Sequence, residues 1–245
     1  MHCVMLASGK GSRSGRGLGR VPKPMLEVGG RLLIERALDF LFDGGVESVT
    51  VCTSTGDYPV FMDWLRGCDY TGKVELSASN HDHSAGTGPL HDLLAICMKN
   101  HFSSGTLVTA GNRLFDLPLA EYGEFCARHE GDSVCVLEDP AGCGEGPCGM
   151  AAMTADDRVI DFTTDRRRRS GLRALPLVYL SAETLHYLRS YLAEGGSGEC
   201  IGHFLQWSYR FRPLYAFVTE GRHFFIKDTP SLKKAVSHFE KSGGI

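Results

Sequence analysis

The sequence has no apolar run approaching the roughly 20 residues that a membrane-spanning helix requires, which excludes a chain that crosses the bilayer by helices. Its opening string, MHCVMLASGKG, also lacks the long apolar stretch and small-residue cleavage site of a secretory signal. We therefore expect a soluble, reduced, cytoplasmic chain with no membrane partner. An excess of positive charge is lacking as well: 26 Lys and Arg stand against 29 Asp and Glu, a formal net charge of −3. That excludes a diffuse basic field for holding nucleic acid, the arginine run at 166–169 being the one local exception. Patterned cysteine pairs are missing too, because the nine cysteines are odd in number and scattered. Cys3, Cys52, Cys97 and Cys135 lie inside apolar runs, where a thiol behaves as a small core residue. Cys143 and Cys148 sit in a glycine-rich stretch with no second pair to complete a metal knuckle, so we expect loop thiols there.

What is present is an ordinary globular composition, 245 residues with 42% apolar and 22% charged. A chain of this size buries about three quarters of its unfolded surface, so a core can form without staples. Residues 3–7 are apolar and run into Ser8-Gly9-Lys10-Gly11, which reads as a buried strand followed by a glycine loop. Residues 31–42 carry Leu33, Ile34, Ala37, Leu38 and Leu41 at helical spacing, and Gly44-Gly45 stops the run. Strands at 48–52, 74–76, 106–109 and 133–137 then alternate with helices at 60–65, 89–100 and 119–130. Such alternation predicts parallel strands joined by right-handed crossovers. Beyond residue 149 the pattern changes to strands at 149–153, 159–162 and 176–180, helices at 182–192 and 201–207, a strand at 212–218 and a last helix at 231–240. The expected architecture is one α/β domain over residues 1–245. It is a doubly wound, mostly parallel, Rossmann-like sheet in three α/β/α layers, more irregular in its C-terminal half.

The richest motif is Leu6-Ala7-Ser8-Gly9-Lys10-Gly11-Ser12-Arg13, followed by Pro22-Lys23-Pro24-Met25. A loop whose backbone N–H groups face phosphates needs glycine, because a Cβ blocks close approach. Arg13 and Lys23 add the positive charge that phosphates require. The string matches neither the P-loop nor the dinucleotide fingerprint. Taken with the following VPKPMLEVGGRLLIERAL, it resembles the opening of the sugar-1-phosphate nucleotidyltransferases, roughly L-A-G-G-x-G-T-R, then P-K-P, then G-x-P-L-I-E. Ser8 replaces one glycine of that pattern and Ser12 its threonine. Further along, Gly86-Thr87-Gly88-Pro89-Leu90 resembles the family's base-recognition loop. Residues 149–165 resemble its "Y-G-x-V…D-G-R-I-x-x-F-x-E-K" segment, and 225–230 its "F-D-I-G-T-P". By eye the nearest subtype is a mannose- or heptose-1-phosphate guanylyltransferase, or a cytidylyl enzyme of the same shape. The resemblance implies a nucleotide-diphospho-sugar transferase-like fold and joining of a sugar phosphate to an NTP with release of pyrophosphate. It implies Mg²⁺ as cofactor. It implies that Gly9, Gly11, Arg13 and Lys23 cradle the β- and γ-phosphates, with Arg13 and Lys23 as the catalytic cations, and that Leu6, Ala7, Ser8 and Ser12 also belong to the nucleotide site. Gly86, Thr87 and Gly88 would border the base, and Asn112 would complete the nucleotide site.

The chain departs from this pattern where the family holds metal and sugar. The family's "N-G-D-x-L-F-D" is here Ala110-Gly111-Asn112-Arg113-Leu114-Phe115-Asp116, so an amide stands where the metal aspartate belongs and Arg113 adds a positive charge. The second metal aspartate falls on Ile226, the sugar-phosphate lysine on Asp165, and the sugar-binding N-A-G on Ala174-Leu175-Pro176. Two readings follow. In the first the metal site is relocated onto Asn112 and Asp228; Asp228, two residues beyond Ile226, would share its facing if the segment is a strand. Residues 166–169 could then anchor the phosphate. In the second, catalysis is lost and a nucleotide-binding or regulatory homologue remains, as a homodimer or paired with an active paralogue. Asp228 also precedes Thr229-Pro230, where an aspartate suits a helix N-terminal cap. A glycosyltransferase acting on a nucleotide-sugar finds no support, since no Asp-x-Asp triplet occurs. His81-Asp82-His83 lacks a third metal ligand nearby and reads as a solvated loop, and Trp64 and Trp207 read as core.

Overall fold

The computed structural model describes residues 1–8, 21–79, 87–100, 105–138, 148–165 and 171–242. The first strand, β1 (His2–Ala7), is apolar from Cys3 onward because both faces are covered. Cys3, Met5 and Ala7 pack into one core, and Val4 into the other. A hairpin follows, β2 (Glu27–Val28) and β3 (Arg31–Leu32), joined by Gly29 and Gly30 at φ +56° and +77°. Two successive positive φ values define the tight hairpin turn that glycine permits. The apolar spacing alone predicts a helix from residue 31. The hairpin instead claims Arg31 and Leu32, and α1 (Leu33–Asp43) starts two residues later.

The chain then steps outward through β4 (Ser48–Thr53), α2 (Tyr58–Arg66) and β5 (Val74–Ala78), with β1, β4 and β5 all parallel. It returns through α3 (Pro89–Asn100) to β6 (Thr106–Ala110), which pairs in parallel with the other edge of β1. Next come β7 (Arg113–Asp116), α4 (Leu119–Arg128), β8 (Asp132–Glu138), β9 (Gly149–Met153), β10 (Val159–Thr163) and β11 (Leu172–Leu180). The last elements are α5 (Ala182–Ala193), α6 (Ile201–Ser208), β12 (Leu214–Thr219), β13 (Arg222–Phe225) and α7 (Thr229–Ser242).

The large sheet runs β5-β4-β1-β6-β11-β8-β12, with β9 and β10 continuing from one edge of β11. It is mostly parallel, but β11 runs antiparallel to β6, β8 and β9. Residues of α1, α2, α4 and α7 form the core on one face, and residues of α3, α5 and α6 the core on the other. This is the expected three-layer arrangement.

β11 is longer than its apolar run predicts, and it takes in Pro176. Against β8 its register shifts, Ala174 facing Val136 while Val178 faces Val134. Proline has no N–H to give a ladder and is tolerated where pairing is interrupted. The thiol of Cys148 is not a loop thiol as expected. It is 3% exposed and donates to the carbonyl of Leu175 at 3.0 Å, so it belongs to the core beside that irregularity. Cys3, Cys52, Cys97 and Cys135 are buried as expected, and burial pushes the thiols of Cys52 and Cys97 up to about 12. Trp64 and Trp207 are partly buried and pack at the borders of the two cores. Among the described residues no helix is long and apolar enough to cross a membrane.

Candidate functional site

In open α/β sheets a ligand crevice forms beyond the carboxyl ends of the strands where the winding reverses. Here the chain leaves β1 toward β4 on one side and returns to β6 on the other, so the reversal lies at the ends of β1 and β6. Gly111 holds these ends together. Its N–H donates to Leu6 O at 2.9 Å, and a Cβ there would lie 2.9 Å from the Cβ of Ala7. A cleft of about 240 Å³ opens at this point, and Leu6, Ala7, Lys23, Asn112 and Arg113 are among the residues that line it. Four of the expected site residues, Leu6, Ala7, Lys23 and Asn112, therefore line one cleft. Gly9, Gly11, Ser12, Arg13 and Gly86 lie outside the described residues, as do His81, Asp82, His83 and the arginine run.

Lys23 sits in a single 3₁₀ turn (Lys23–Met25), with prolines on both sides fixing the backbone. The residue is 5% exposed, and its ammonium has no hydrogen-bond or ion-pair partner among the described residues. Burial chiefly lowers its pKa; the nearby Asp228 charge opposes the shift and Arg113 adds to it.

Arg113 reaches the same cleft from β7. That strand pairs with β13 in a separate two-stranded ribbon, Arg113 opposite Phe225, an element absent from the sequence reading. The guanidinium lies 3.7 Å above the Phe225 ring, and its Nη1 is 3.3 Å from His223 Nε2. Burial, then Arg113 and Arg173, hold His223 well below the ordinary histidine range. The ring is therefore neutral and accepts the Arg113 bond. No local signal marks His223 as part of this cluster. Only the pairing of strands more than a hundred residues apart brings it there.

Ser8, where the resembled pattern has glycine, donates to Asp92 Oδ2 at 2.5 Å. Ser79 donates to Asp92 Oδ1 at 2.6 Å. This buried carboxylate on α3 ties the end of β1 to the end of β5. Thr87 and Gly88 lead into α3, and Leu90 N donates to Gly198 O at 3.0 Å. A Cβ on Gly88 would meet that same carbonyl oxygen at 2.4 Å, so close backbone packing requires glycine at this position.

Asn112 and Ile226 are joined through the backbone, Ile226 N donating to Asn112 O at 3.0 Å. Ile226 is fully buried. The strand ends at Phe225, so the expected shared facing of Ile226 and Asp228 on one strand does not hold. Asp228 instead caps α7. Its Oδ1 accepts from Ser231 N at 2.9 Å and from the Ser231 hydroxyl at 2.7 Å, while Ser231 Oγ accepts from Asp228 N at 3.0 Å. Such reciprocal bonds form a capping box. The hydrogen bonds from Ser231 hold the Asp228 carboxyl below the ordinary carboxylate range.

Whether these residues suit Mg²⁺ follows from the donors. A hard dication takes carboxylate and carbonyl oxygens. The cleft offers an amide at Asn112 and two cations, Lys23 and Arg113, and the second expected metal position, Ile226, is a buried hydrocarbon outside its lining. Its one acidic lining residue is Glu199, which is exposed. Among the described residues no three His, Cys, Asp or Glu side chains gather in a metal-holding group. The described residues do not fit the metal.

Residues 3–210 match the family described as the MobA-like NTP transferase domain. No curated protein matches the chain. Among solved structures, the inositol-1-phosphate CTP transferase from T. maritima is similar with a TM-score of 0.76 at 16% identity, over 100% of this chain and 97% of that one. Apo UDP-glucose pyrophosphorylase is similar with a TM-score of 0.75 at 15% identity, over 99% and 98%. HddC from Yersinia pseudotuberculosis complexed with GMP-PN gives 0.70 at 19% identity, over 97% and 99%. At these identities the likeness is one of fold.

Proposed function

The chain belongs to the MobA-like NTP transferase family, and we propose that its cleft binds a nucleoside triphosphate while metal-dependent nucleotidyl transfer has been lost. The observation that carries this reading is Lys23. Lys23 is 5% exposed as a residue and lines the cleft beside Asn112 and Arg113, and a phosphate there would accept a charge-assisted hydrogen bond from its ammonium. The phosphates would lie against Lys23 and the loop after β1, from Leu6, Ala7 and Ser8 through Gly9, Gly11, Ser12 and Arg13. The base would lie beside Gly86, Thr87 and Gly88, with Asn112 closing the site. GTP is the first ligand to try, because HddC is held with GMP-PN on the same fold. A module of this kind acts by occupancy, alone as a homodimer or through a catalytic paralogue.

A second reading keeps the enzyme, a transferase joining an NTP to a sugar phosphate. It is favoured by one feature: the α7 cap engages Oδ1 of Asp228, and the carboxylate lies near enough to Lys23 to act on its charge. Calorimetric titration with GTP, CTP and UTP tests the binding reading. Pyrophosphate release with Mg²⁺, each NTP and a panel of sugar-1-phosphates then separates the two. Binding without release supports the homologue. Release that disappears in Asp228→Asn supports the enzyme, and no binding of any nucleotide overturns both.

A further inference from the structure

The mismatch between this cleft and a divalent cation has a direct consequence for its ligand. We infer that the site takes the metal-free form of a nucleoside polyphosphate, with Arg113 as a fixed cation where the family holds its metal. This rests on the nucleotide-binding reading above.

A triphosphate brings several negative charges close together, and something must offset them. A metal site does so with a dication held by carboxylates. Here the order is inverted. Asn112 and Ile226 replace the carboxylates, and the neighbouring residue supplies the charge. Arg113 is not a loose surface arginine. The β7–β13 pairing fixes its backbone opposite Phe225. Stacking at 3.7 Å over that ring and the 3.3 Å contact with His223 fix its guanidinium. A guanidinium held in this way presents a planar fork of donors suited to phosphate oxygens.

His223 supports the arrangement because it is neutral. It accepts from Arg113 and does not add a repelling charge, and Arg113 and Arg173 themselves help to keep it so. Lys23 and Arg113 line the same cleft and lie within electrostatic reach of each other, while the Asp228 carboxylate that also acts on Lys23 is engaged in the α7 cap. An entering Mg²⁺ meets like charges there, whereas a phosphate chain meets opposite ones. Mg²⁺ bound to the nucleotide would also remove part of the charge that Lys23 and Arg113 recognise.

The test is calorimetric titration of the whole chain with GTP and ATP, and with inorganic tripolyphosphate as a probe of the phosphate half alone, in EDTA and in excess Mg²⁺. Affinity in EDTA should equal or exceed affinity in Mg²⁺. Arg113→Gln should weaken binding in EDTA by roughly 10–100-fold, the range for losing a charge-assisted contact. Arg113→Lys should recover part of that loss. The double variant Asn112→Asp, Arg113→Ser should move the preference toward Mg²⁺. Circular dichroism and thermal melting of each variant establish that it is folded. Nucleotide binding that requires Mg²⁺, or a folded Arg113→Gln that binds as the parent does, overturns the metal-free assignment and leaves the binding reading standing. No binding of nucleotide or tripolyphosphate in either buffer overturns the binding reading itself.

Discussion

Replacing Lys23 with methionine should make the free protein more stable and its ligand complex much weaker. The stem of Lys23 is already buried, and methionine fills a similar volume, so little packing is lost. What disappears is the charge of a residue that is 5% exposed as a whole and whose pKa burial lowers, against the opposing charge of Asp228. An unsatisfied buried polar group costs about 1–3 kcal/mol, and more when charged. For a chain of this length each kcal/mol moves the melting temperature by about 2–4 °C. The ligand-free variant should therefore melt above the parent, by at most about 12 °C and by less to the extent that solvent screens the ammonium. Nucleotide affinity should fall by roughly 10–150-fold, the equivalent of losing about 1.5–3 kcal/mol from a charge-assisted contact.

The pH dependence gives an independent sign. The folded state lowers the Lys23 pKa below its ordinary value, so it releases the proton before the unfolded chain does. In that alkaline window the unfolded chain binds more protons, and parental stability rises with pH. The advantage of Lys23→Met should accordingly shrink as pH rises toward 10.5, the ordinary lysine value. Melting curves with and without GTP across pH measure all three quantities. A variant that melts well below the parent would show that the ammonium has a structural partner. One that binds GTP as tightly as the parent would falsify the placement of phosphate at this residue.

Asp228→Asn should leave the melting temperature nearly unchanged, because an amide oxygen caps α7 almost as well, whereas Asp228→Ala should cost about 1 kcal/mol by chemical denaturation. Gly88→Ala should be destabilising by more than an ordinary surface change, since its Cβ would lie 2.4 Å from Gly198 O; a variant as stable as the parent would mean that this backbone contact yields freely. Asp132 is 1% exposed, and burial raises its pKa to about 6, against hydrogen bonds such as that from Ser181 N at 3.0 Å. Its folded pKa lies above the unfolded value of 3.8, so the stability it confers is present at low pH and lost as pH rises through about 6. The loss amounts to about 3 kcal/mol. Asp132→Asn should gain on the parent by about that much between acid and neutral pH, and parallel stability curves would refute the assignment.

The sequence by itself determined what depends on near neighbours along the chain. The mostly apolar runs of β1, β4, β6 and β8 could be read because a strand covered on both faces carries apolar residues on both its faces rather than on alternate positions. Helix α1 could be read from the spacing of Leu33, Ile34, Ala37, Leu38 and Leu41, all of them buried. The cap at Asp228 was legible because an aspartate before Thr-Pro satisfies free N–H groups two or three residues ahead. Lys23 was legible as a cleft residue from its flanking prolines and the glycine string before it.

Only the tertiary structure decided what depends on groups far apart in the chain. Arg31 and Leu32 left the helix because two glycines folded a hairpin back on Glu27 and Val28. Cys148 became a core thiol because the chain folds it against β11, its N–H donating to Ala174 O and its thiol to Leu175 O where the β11–β8 register shifts. The cationic character of the cleft was settled by β13, which brings His223 and Phe225 onto Arg113 across 110 residues of chain. Local propensity carries no term for such a pairing, since its free energy comes from long-range strand registry and ring stacking. The same long-range registry fixes which charge lines the cleft.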